Sequence, residues 1–230
     1  CMSKGMLYGV GVGPGDPELI TLKAARVIAA CPVIAAPQTA DGAATALDIA
    51  RAACDLSGKD VLSARFSMTR DAARRAAEHE AVVDAICGHL GAGRDVALLN
   101  LGDASIYATF QRIAPDVRSR GFEAHAVPGV PSFCAVAAAL ERDLTPDMAA
   151  PLHVVPGGYG DVADALSWPG TKVVMKARRD LAATKRALRA AGSFDDAELV
   201  QDCGLAGERV FRSIDEVPDE GSYFSTMVVR

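Results

Sequence analysis

Three glycine-rich turns carry the residue types most suited to binding a ligand, and each turn follows a segment predicted to be a strand. They read Gly-Val-Gly-Pro-Gly-Asp-Pro-Glu over residues 11–18, Leu-Gly-Asp-Ala-Ser-Ile-Tyr over 101–107, and Val-Pro-Gly-Val-Pro-Ser over 127–132. Glycine allows a backbone to approach another group closely. One such turn is often only structural. Three of them predict a site, because ligands of parallel α/β sheets lie beyond the carboxyl ends of the strands.

The first turn does not match a phosphate-binding motif. A GxGxxG pattern fails because Pro14 or Asp16 stands at the third glycine position, depending on where the pattern begins. No GK[ST] sequence follows for a P-loop. Pro14 also lacks the N–H that such loops direct at phosphate, and Asp16 and Glu18 would repel it. The turn therefore predicts a ligand without phosphate groups.

Asp103, in the second turn, allows two interpretations from the sequence alone. Its carboxylate could accept hydrogen bonds from ribose hydroxyls or attract an ammonium group. It could equally cap the amino end of the segment that follows, since Asp is a favoured helix cap.

Composition excludes several classes of protein. The 230 residues are 50% hydrophobic and 23% charged, with a formal net charge of -5, which is typical of a globular protein and disfavours a broad nucleic-acid or anionic-membrane surface. The six cysteines are dispersed without a CxxC pair, so we expect reduced thiols and no metal site. No apolar run is long enough to span a bilayer, and we expect a cytoplasmic protein.

Short β-branched runs alternate with alanine-rich helical runs, which predicts two α/β domains, residues 1–145 with a parallel sheet and residues 146–230 with a mixed sheet. In the first domain we expect strands at 6–12, 32–36, 60–66, 96–101 and 123–127, and helices at 19–30, 45–54, 71–90, 105–119 and 131–140. In the second we expect strands at 152–155, 171–176, 197–202, 209–213 and 223–229, with one long helix at 181–191.

The three turns, together with Val-Val-Met at 173–175 and Gly-Glu-Arg-Val at 207–210, resemble the tetrapyrrole (corrin/porphyrin) methyltransferase family. The resemblance covers nearly the whole chain in order. Four stretches, GDPELITLKA, LGDASIYATF, VPGVPSF and YFSTMVVR, are most similar to the family's precorrin-2 C20-methyltransferases. This branch uses S-adenosylmethionine to methylate carbon 20 of precorrin-2, giving precorrin-3A and S-adenosylhomocysteine in cobalamin biosynthesis.

The resemblance implies two α/β domains with the cofactor in the cleft between them, and a homodimer. Carried over by position, the cofactor contacts are Pro14, Leu101, Gly102, Asp103, Ile106, Pro131, Ser132, Met175, Cys203 and Gly204. Met175 and Cys203, judged by residue type alone, are ordinary core residues. Two positions depart from the family. Ala104 replaces a common proline and should loosen its turn, and Pro131 replaces a small hydroxyl residue, which leaves backbone carbonyls to bind the cofactor.

Methyl transfer to an electron-rich meso carbon needs positioning more than a protein nucleophile, followed by loss of that carbon's proton. Tyr107 is the predicted assisting group because it lies within the second turn. Weaker candidates are His79, His89, His125 and His153. Cationic side chains should bind the substrate's carboxylates, and those predicted are Arg65, Arg70, Lys176, Arg178 and Arg179.

Other functions remain open at this point. The acceptor could be the cobalt-containing form of precorrin-2, or that of a diphthine synthase or ribosomal-RNA ribose methyltransferase, which resemble the same family. The acidic charge balance disfavours RNA. A non-enzymatic small-molecule-binding protein on this fold is a further alternative. A nucleotide-dependent oxidoreductase is the least favoured alternative, because the dinucleotide-binding motif is incomplete.

Overall fold

The computed structural model describes residues 3–38, 43–66, 69, 71–157, 162–177, 181–218 and 222–230. The chain folds as two compact units, Cys1–Pro131 and Ser132–Arg230. None of the helices in these described ranges is long and apolar enough to cross a membrane.

The first unit is a parallel sheet with helices on both faces, as the sequence predicts. Its strands are β1 (Met6–Gly11), β2 (Val33–Gln38), β3 (Asp60–Arg65), β4 (Val96–Asn100) and β5 (Glu123–Val127), in the order β3-β2-β4-β1-β5. Its helices are α1 (Leu22–Ala30), α2 (Thr45–Ala53), α3 (Ala72–Gly91) and α4 (Thr109–Ser119). Every neighbouring pair of strands is parallel.

Alternating residues of the central strands supply two separate cores. In β4, Leu98 packs with Ile86 of α3 and Ile113 of α4, whereas Leu99 packs on the other face with Ile28 of α1. Because both faces are covered by helices, the strand is a continuous apolar run instead of an alternating one. The glycine-rich turns follow β1, β4 and β5, and they therefore emerge together from the carboxyl edge of this sheet.

Two predicted helices begin later than expected. Residues Pro17–Leu19 form a short 3-10 helix capped by Asp16, and α1 starts only after Thr21, whose hydroxyl accepts a hydrogen bond from the N–H of Ala24 at 3.0 Å. The helix predicted from residue 105 begins at Thr109. Tyr107 has a positive φ of 50°, which a right-handed helix does not accommodate.

The second unit has the mixed sheet expected from the sequence. Its elements are α5 (Ser132–Leu140), β6 (Leu152–Pro156), α6 (Val162–Leu166), β7 (Thr171–Met175), α7 (Leu181–Ala191), β8 (Ala197–Gln201), β9 (Arg209–Phe211) and β10 (Ser225–Val229). The strand order is β6-β7-β10-β8-β9, with β6 parallel to β7 and the other pairs antiparallel. The five-residue α6 is too short to give a periodic signal, and sequence reasoning missed it.

The compact units divide before α5, earlier than the boundary predicted after residue 145. Leu140 of α5 packs against Val173 and Val228 of the second sheet. Just beyond the helix, the guanidinium of Arg142 donates to Glu198 at 2.7 Å, and the Glu198 side chain is only 4% exposed. Apolar packing of α5 and an ion pair from Arg142 to the buried Glu198 carboxylate therefore attach this segment to the second unit.

Candidate active site

The three turns meet at the carboxyl edge of the first sheet, and we call them the first (residues 11–16), second (101–107) and third (128–131) glycine loops. They lie side by side because β4, β1 and β5 are neighbours in a parallel sheet. The N–H of Gly13 donates to the carbonyl oxygen of Gly102 at 3.2 Å, and the N–H of Gly102 donates to that of Gly13 at 2.8 Å. These two hydrogen bonds join the first and second loops.

The glycines allow the loop backbones to touch one another. A Cβ atom on Gly129 would lie 2.3 Å from the carbonyl oxygen of Gly102 and 2.7 Å from the carbonyl carbon of Gly11. A Cβ atom on Gly11 would lie 2.7 Å from the backbone nitrogen of Gly129. No side chain fits into these gaps. The glycines are therefore required because the backbones of the loops approach one another.

Asp103 joins the second and third loops. One carboxylate oxygen accepts the N–H of Gly129 at 2.8 Å, and the other accepts both the N–H of Ser105, at 2.7 Å, and its hydroxyl. Because α4 begins after Ala108, the proposal that Asp103 caps this helix is wrong. A carboxylate has about four acceptor positions, so three donors leave one of them for a ligand.

The hydrogen bonds to Asp103 also determine its protonation. Partial burial of the carboxyl raises its pKa, but the hydroxyl of Ser105 and the amides of Gly129 and Ser105 lower it, and the net pKa is below the ordinary value. Asp103 is therefore an anion at neutral pH, held at the meeting point of two loops.

Two amide side chains that the sequence analysis did not identify fix the second loop through hydrogen bonds. Asn100 is buried at the end of β4, where its side chain donates to the carbonyl of Leu98 at 2.9 Å and accepts the N–H of Phe110 at 3.0 Å. Gln111 donates to the carbonyl of Ala104 at 2.9 Å. Ala104 is buried, so this turn is fixed without the proline that the family commonly has. The sequence signal that could have revealed Asn100 is a single asparagine at the end of an otherwise apolar strand.

The other predicted contacts in the first unit lie on the same three loops. Pro14 is buried, while Ile106 and Pro131 are partly exposed. Leu101 packs against the core on the α1 and α2 side of the sheet. In the third loop, the hydroxyl of Thr21 donates to the carbonyl of Pro128 at 3.3 Å, which ties the loop to the start of α1.

The predicted contacts in the second unit also gather at one place. β7 and β8 are both antiparallel to β10, so they end at the same edge, where Met175 pairs with Thr226. Met175 and Cys203 pack on one apolar cluster with Phe133 of α5, the residue after Ser132. Gly204 follows with a φ of 77°, and its N–H donates to Glu208 at 2.7 Å.

The thiol of Cys203 is unreactive at neutral pH. Burial raises its pKa to about 12, and the charge of Glu208 and a hydrogen bond with Glu208 act in the same direction. Since the thiolate is the reactive form of cysteine, this side chain offers an apolar contact and no nucleophile at neutral pH.

Lys176 lies beside an exposed aromatic pair that sequence reasoning missed. Its ammonium nitrogen is 5.3 Å from the centroid of the Tyr223 ring, and its backbone has a φ of 57°. Tyr223 is 44% exposed and meets Phe224 edge to face at 5.6 Å between ring centroids. Non-glycine residues with positive φ cluster at functional sites, and Asp202, at the end of β8, is another with a φ of 50°.

Tyr107 is 53% exposed on the second glycine loop, next to the residues that fix that loop. The four histidines have partners elsewhere: His79 bonds Asp116 at 2.6 Å, His89 bonds Arg94 at 3.3 Å, His125 bonds Glu123 at 3.2 Å and His153 bonds the carbonyl of Pro169 at 3.0 Å. None of the histidines belongs to a glycine loop. Tyr107 therefore keeps its place as the predicted assisting group.

Of the predicted substrate-binding cations, Arg65 is exposed at the end of β3. Lys176 lies at the edge of the second sheet, as described above. Arg70, Arg178 and Arg179 lie outside the described residues.

The structure thus has the two α/β domains and the glycine loops that the resemblance to tetrapyrrole methyltransferases implies. The family model for Tetrapyrrole (Corrin/Porphyrin) Methylases matches residues 6–218, and the chain belongs to this family.

Two relatives that the chain matches over nearly its full length are named as C(20)-methyltransferases. The chain is 32% identical to a cobalt-precorrin-2 C(20)-methyltransferase of Salmonella typhimurium, over 98% of this chain and 96% of the relative. It is 29% identical to a precorrin-2 C(20)-methyltransferase of Sinorhizobium sp, over 98% and 95%. It is also 34% identical to the cobalamin biosynthesis protein CobIJ of Mycobacterium tuberculosis, over 97% of this chain but only 45% of that protein. The chain thus spans about half the length of the CobIJ relatives.

Solved structures share the fold. The cobalt precorrin-4 methyltransferase CbiF superposes with a TM-score of 0.76 at 20% identity, covering 97% of this chain and 94% of that chain. A uroporphyrin-III C-methyltransferase from Thermus thermophilus, solved in complex with S-adenyl homocysteine, gives a TM-score of 0.69 at 23% identity and covers 98% and 97%. The predicted two-domain α/β fold is confirmed.

Proposed function

We propose that this protein transfers a methyl group from S-adenosylmethionine to carbon 20 of precorrin-2, producing precorrin-3A and S-adenosylhomocysteine in cobalamin biosynthesis. The observation that carries the proposal is the near full-length similarity to two C(20)-methyltransferases. The glycine loops and Asp103, which the family resemblance assigns to the cofactor, form one connected structure at a sheet edge.

The residues present fit S-adenosylmethionine, which combines an amino acid, a sulfonium, a ribose and an adenine without phosphate. Pro14 offers no N–H and Asp16 adds negative charge, so the first loop suits a cationic ligand better than a phosphate. Asp103 has an acceptor position for a hydroxyl or ammonium group. In the second unit, Met175 and Cys203 offer apolar surface suited to an adenine or a methionine chain.

The proposed chemistry is mainly positional. S-adenosylmethionine, when bound, supplies the methyl group on its sulfonium sulfur. The interlocked loops fix the residues around it, and rigid positioning with exclusion of water contributes much of the rate of such a transfer. Once carbon 20 has gained the methyl group it loses its proton to water, and the hydroxyl of Tyr107 is the proposed group that positions this water by a hydrogen bond. The pKa of Cys203, raised to about 12, keeps this side chain a thiol at neutral pH, so it supplies no thiolate that would compete for the methyl group.

The test is an anaerobic assay with S-adenosylmethionine that offers metal-free precorrin-2 and its cobalt complex in separate reactions. The expected product is one methyl group heavier by mass spectrometry. The cobalt complex is the second candidate acceptor because the Salmonella relative is named for it. Methylation of one form only would assign the acceptor. Binding of the cofactor without methylation of either form would contradict the proposed acceptor and support the diphthine synthase-like or non-enzymatic alternatives.

Replacing Tyr107 by phenylalanine should lower kcat by about 100-fold with little change in substrate KM, because assisted proton transfer contributes about that much to a rate. Tyr8→Phe is the matched control, since it removes the same hydroxyl from a residue of β1 packed against the core. Steady-state kinetics at saturating cofactor provide the measurement. Full turnover by Tyr107→Phe would exclude the assisting role.

Replacing Lys176 by glutamine should raise the KM for precorrin-2 by about 10-fold and leave cofactor affinity unchanged, because one charge-assisted contact to a carboxylate is lost. Lys4→Gln is the matched control. The Lys4 ammonium also lies over an aromatic ring, 5.1 Å from the centroid of Phe122, but beside the start of β1. An effect on cofactor affinity instead of KM would refute substrate binding by Lys176.

We also propose that the protein acts as a cytoplasmic homodimer. The family resemblance supports the dimer. The second sheet offers β6 and β9 as edge strands, each paired on one side within the described residues.

A further inference from the structure

Arg112 is an exposed arginine whose guanidinium is held in place by an aromatic ring. It lies in the first turn of α4, and its guanidinium carbon is 5.5 Å from the centroid of the Phe66 ring. Phe66 follows the end of β3 and packs against the core on the α3 and α4 side of the sheet. A cation–π contact with a ring that packs against the core favours one orientation of the arginine before any ligand binds.

The charge of Arg112 has no counterpart within the part of the chain that the structure describes. Two arginines near it have carboxylate partners: Arg74 of α3 pairs with Glu78 at 3.0 Å, and Arg120, just after α4, pairs with Asp84 at 2.6 Å. Arg75 of α3 and Arg118 of α4 instead donate to backbone carbonyls at 3.0 and 2.7 Å. A cation in the first turn of a helix also opposes the helix dipole. Neither ion pairing nor helix stability therefore explains an arginine at this position.

The position of Arg112 places it at the same sheet edge as the glycine loops. Its neighbour Gln111 donates to the carbonyl of Ala104 in the second loop, so this turn of α4 contacts that loop directly. Leu62 and Phe66 both pack on the α3 and α4 side, so Arg65 projects toward the opposite face of the sheet. Arg65 and Arg112 therefore approach the edge from different faces.

We propose that Arg112, oriented by Phe66, binds one carboxylate of the tetrapyrrole substrate and contributes to its selection. The inference rests on the proposed function, because it assumes a polycarboxylate acceptor. A guanidinium donates two parallel N–H groups to a carboxylate, which fixes direction as well as charge. The contact would orient the macrocycle relative to the second loop without taking part in methyl transfer.

The test compares Arg112→Gln, Arg112→Lys and Phe66→Leu with the wild-type protein. Equilibrium titration with precorrin-2, followed by absorbance without cofactor, measures substrate affinity independently of turnover. We expect Arg112→Gln to weaken precorrin-2 binding by about 10-fold, since a hydrogen bond to a charged group is lost. Arg112→Lys should recover part of the affinity because it keeps the charge but not the paired donors. Phe66→Leu should weaken binding less than Arg112→Gln.

Arg26→Gln is the control, because Arg26 is an exposed arginine of α1 on the opposite side of the sheet. It should bind precorrin-2 as the wild type does, and calorimetry should give all variants the same affinity for S-adenosylmethionine. Equal precorrin-2 affinity in Arg112→Gln and wild type would overturn the inference. Wild-type binding of precorrin-2 without methylation would overturn the proposed function alone, since the variants would still report on Arg112. A wild type that binds no precorrin-2 would overturn both.

Discussion

Gly129→Ala should weaken the binding of S-adenosylmethionine by about 10-fold or more, because the loops of the proposed binding site must move apart and a hydrogen bond to the charged cofactor, worth about 1.5–3 kcal/mol, would be lost. The new Cβ atom would lie 2.3 Å from the carbonyl oxygen of Gly102, and a backbone carbonyl cannot rotate away as a side chain can. The second and third loops must separate to admit it. We also expect a loss of about 2 kcal/mol in the free energy of unfolding, or a fall of about 4–8 °C in Tm.

Calorimetry with S-adenosylmethionine and thermal unfolding measure the two effects. Gly88→Ala is the matched control, because Gly88 lies within α3 and a Cβ atom there would meet nothing within 4 Å. In a helix this change should raise stability by about 0.5–1 kcal/mol. Unchanged cofactor affinity in Gly129→Ala would show that the contact between these loops does not shape the binding site.

Asp103→Ala should weaken cofactor binding by at least about 10-fold and lower the free energy of unfolding by about 2 kcal/mol. The change leaves the amides of Gly129 and Ser105 without their acceptor and releases the third loop from the second. Asp55→Ala is a matched control: Asp55 also accepts an N–H two residues ahead, from Ser57 at 2.9 Å, and also has a lowered pKa. Its bond lies within a single exposed turn, so cofactor affinity should not change.

The effect of Asp103 on stability should depend on pH in a defined direction. Its pKa in the folded protein is below the ordinary value of 3.8, so its contribution is present above that pH and is lost as the pH falls through the folded-state pKa. The difference in unfolding free energy between wild type and Asp103→Asn should therefore be largest above pH 3.8 and shrink in more acidic solution. Denaturant titrations across this range provide the measurement. A difference that grew on acidification would contradict the assignment.

Local patterns predicted the elements well where a signal repeats along the chain. The strand at 123–127 and the helix at 181–191 have the predicted bounds. Errors occurred where a few residues override the pattern. Thr21 and Tyr107 shift two helix starts, one by capping α1 and the other through its positive φ. A backbone dihedral of this kind depends on the surrounding packing, and a list of residue types does not encode it directly.

The sequence by itself determined the fold class, the three glycine loops and the family resemblance, because periodicity and motif spacing are local properties. Only the tertiary structure showed that Gly11, Gly102 and Gly129 pack against one another, and that Asp103 holds two loops together instead of capping a helix. It also brought Arg112 to Phe66, 46 positions earlier in the chain by their numbers. Such contacts join residues far apart in sequence, and they arise when the parallel order β4-β1-β5 and the helices packed on it bring distant segments to one edge.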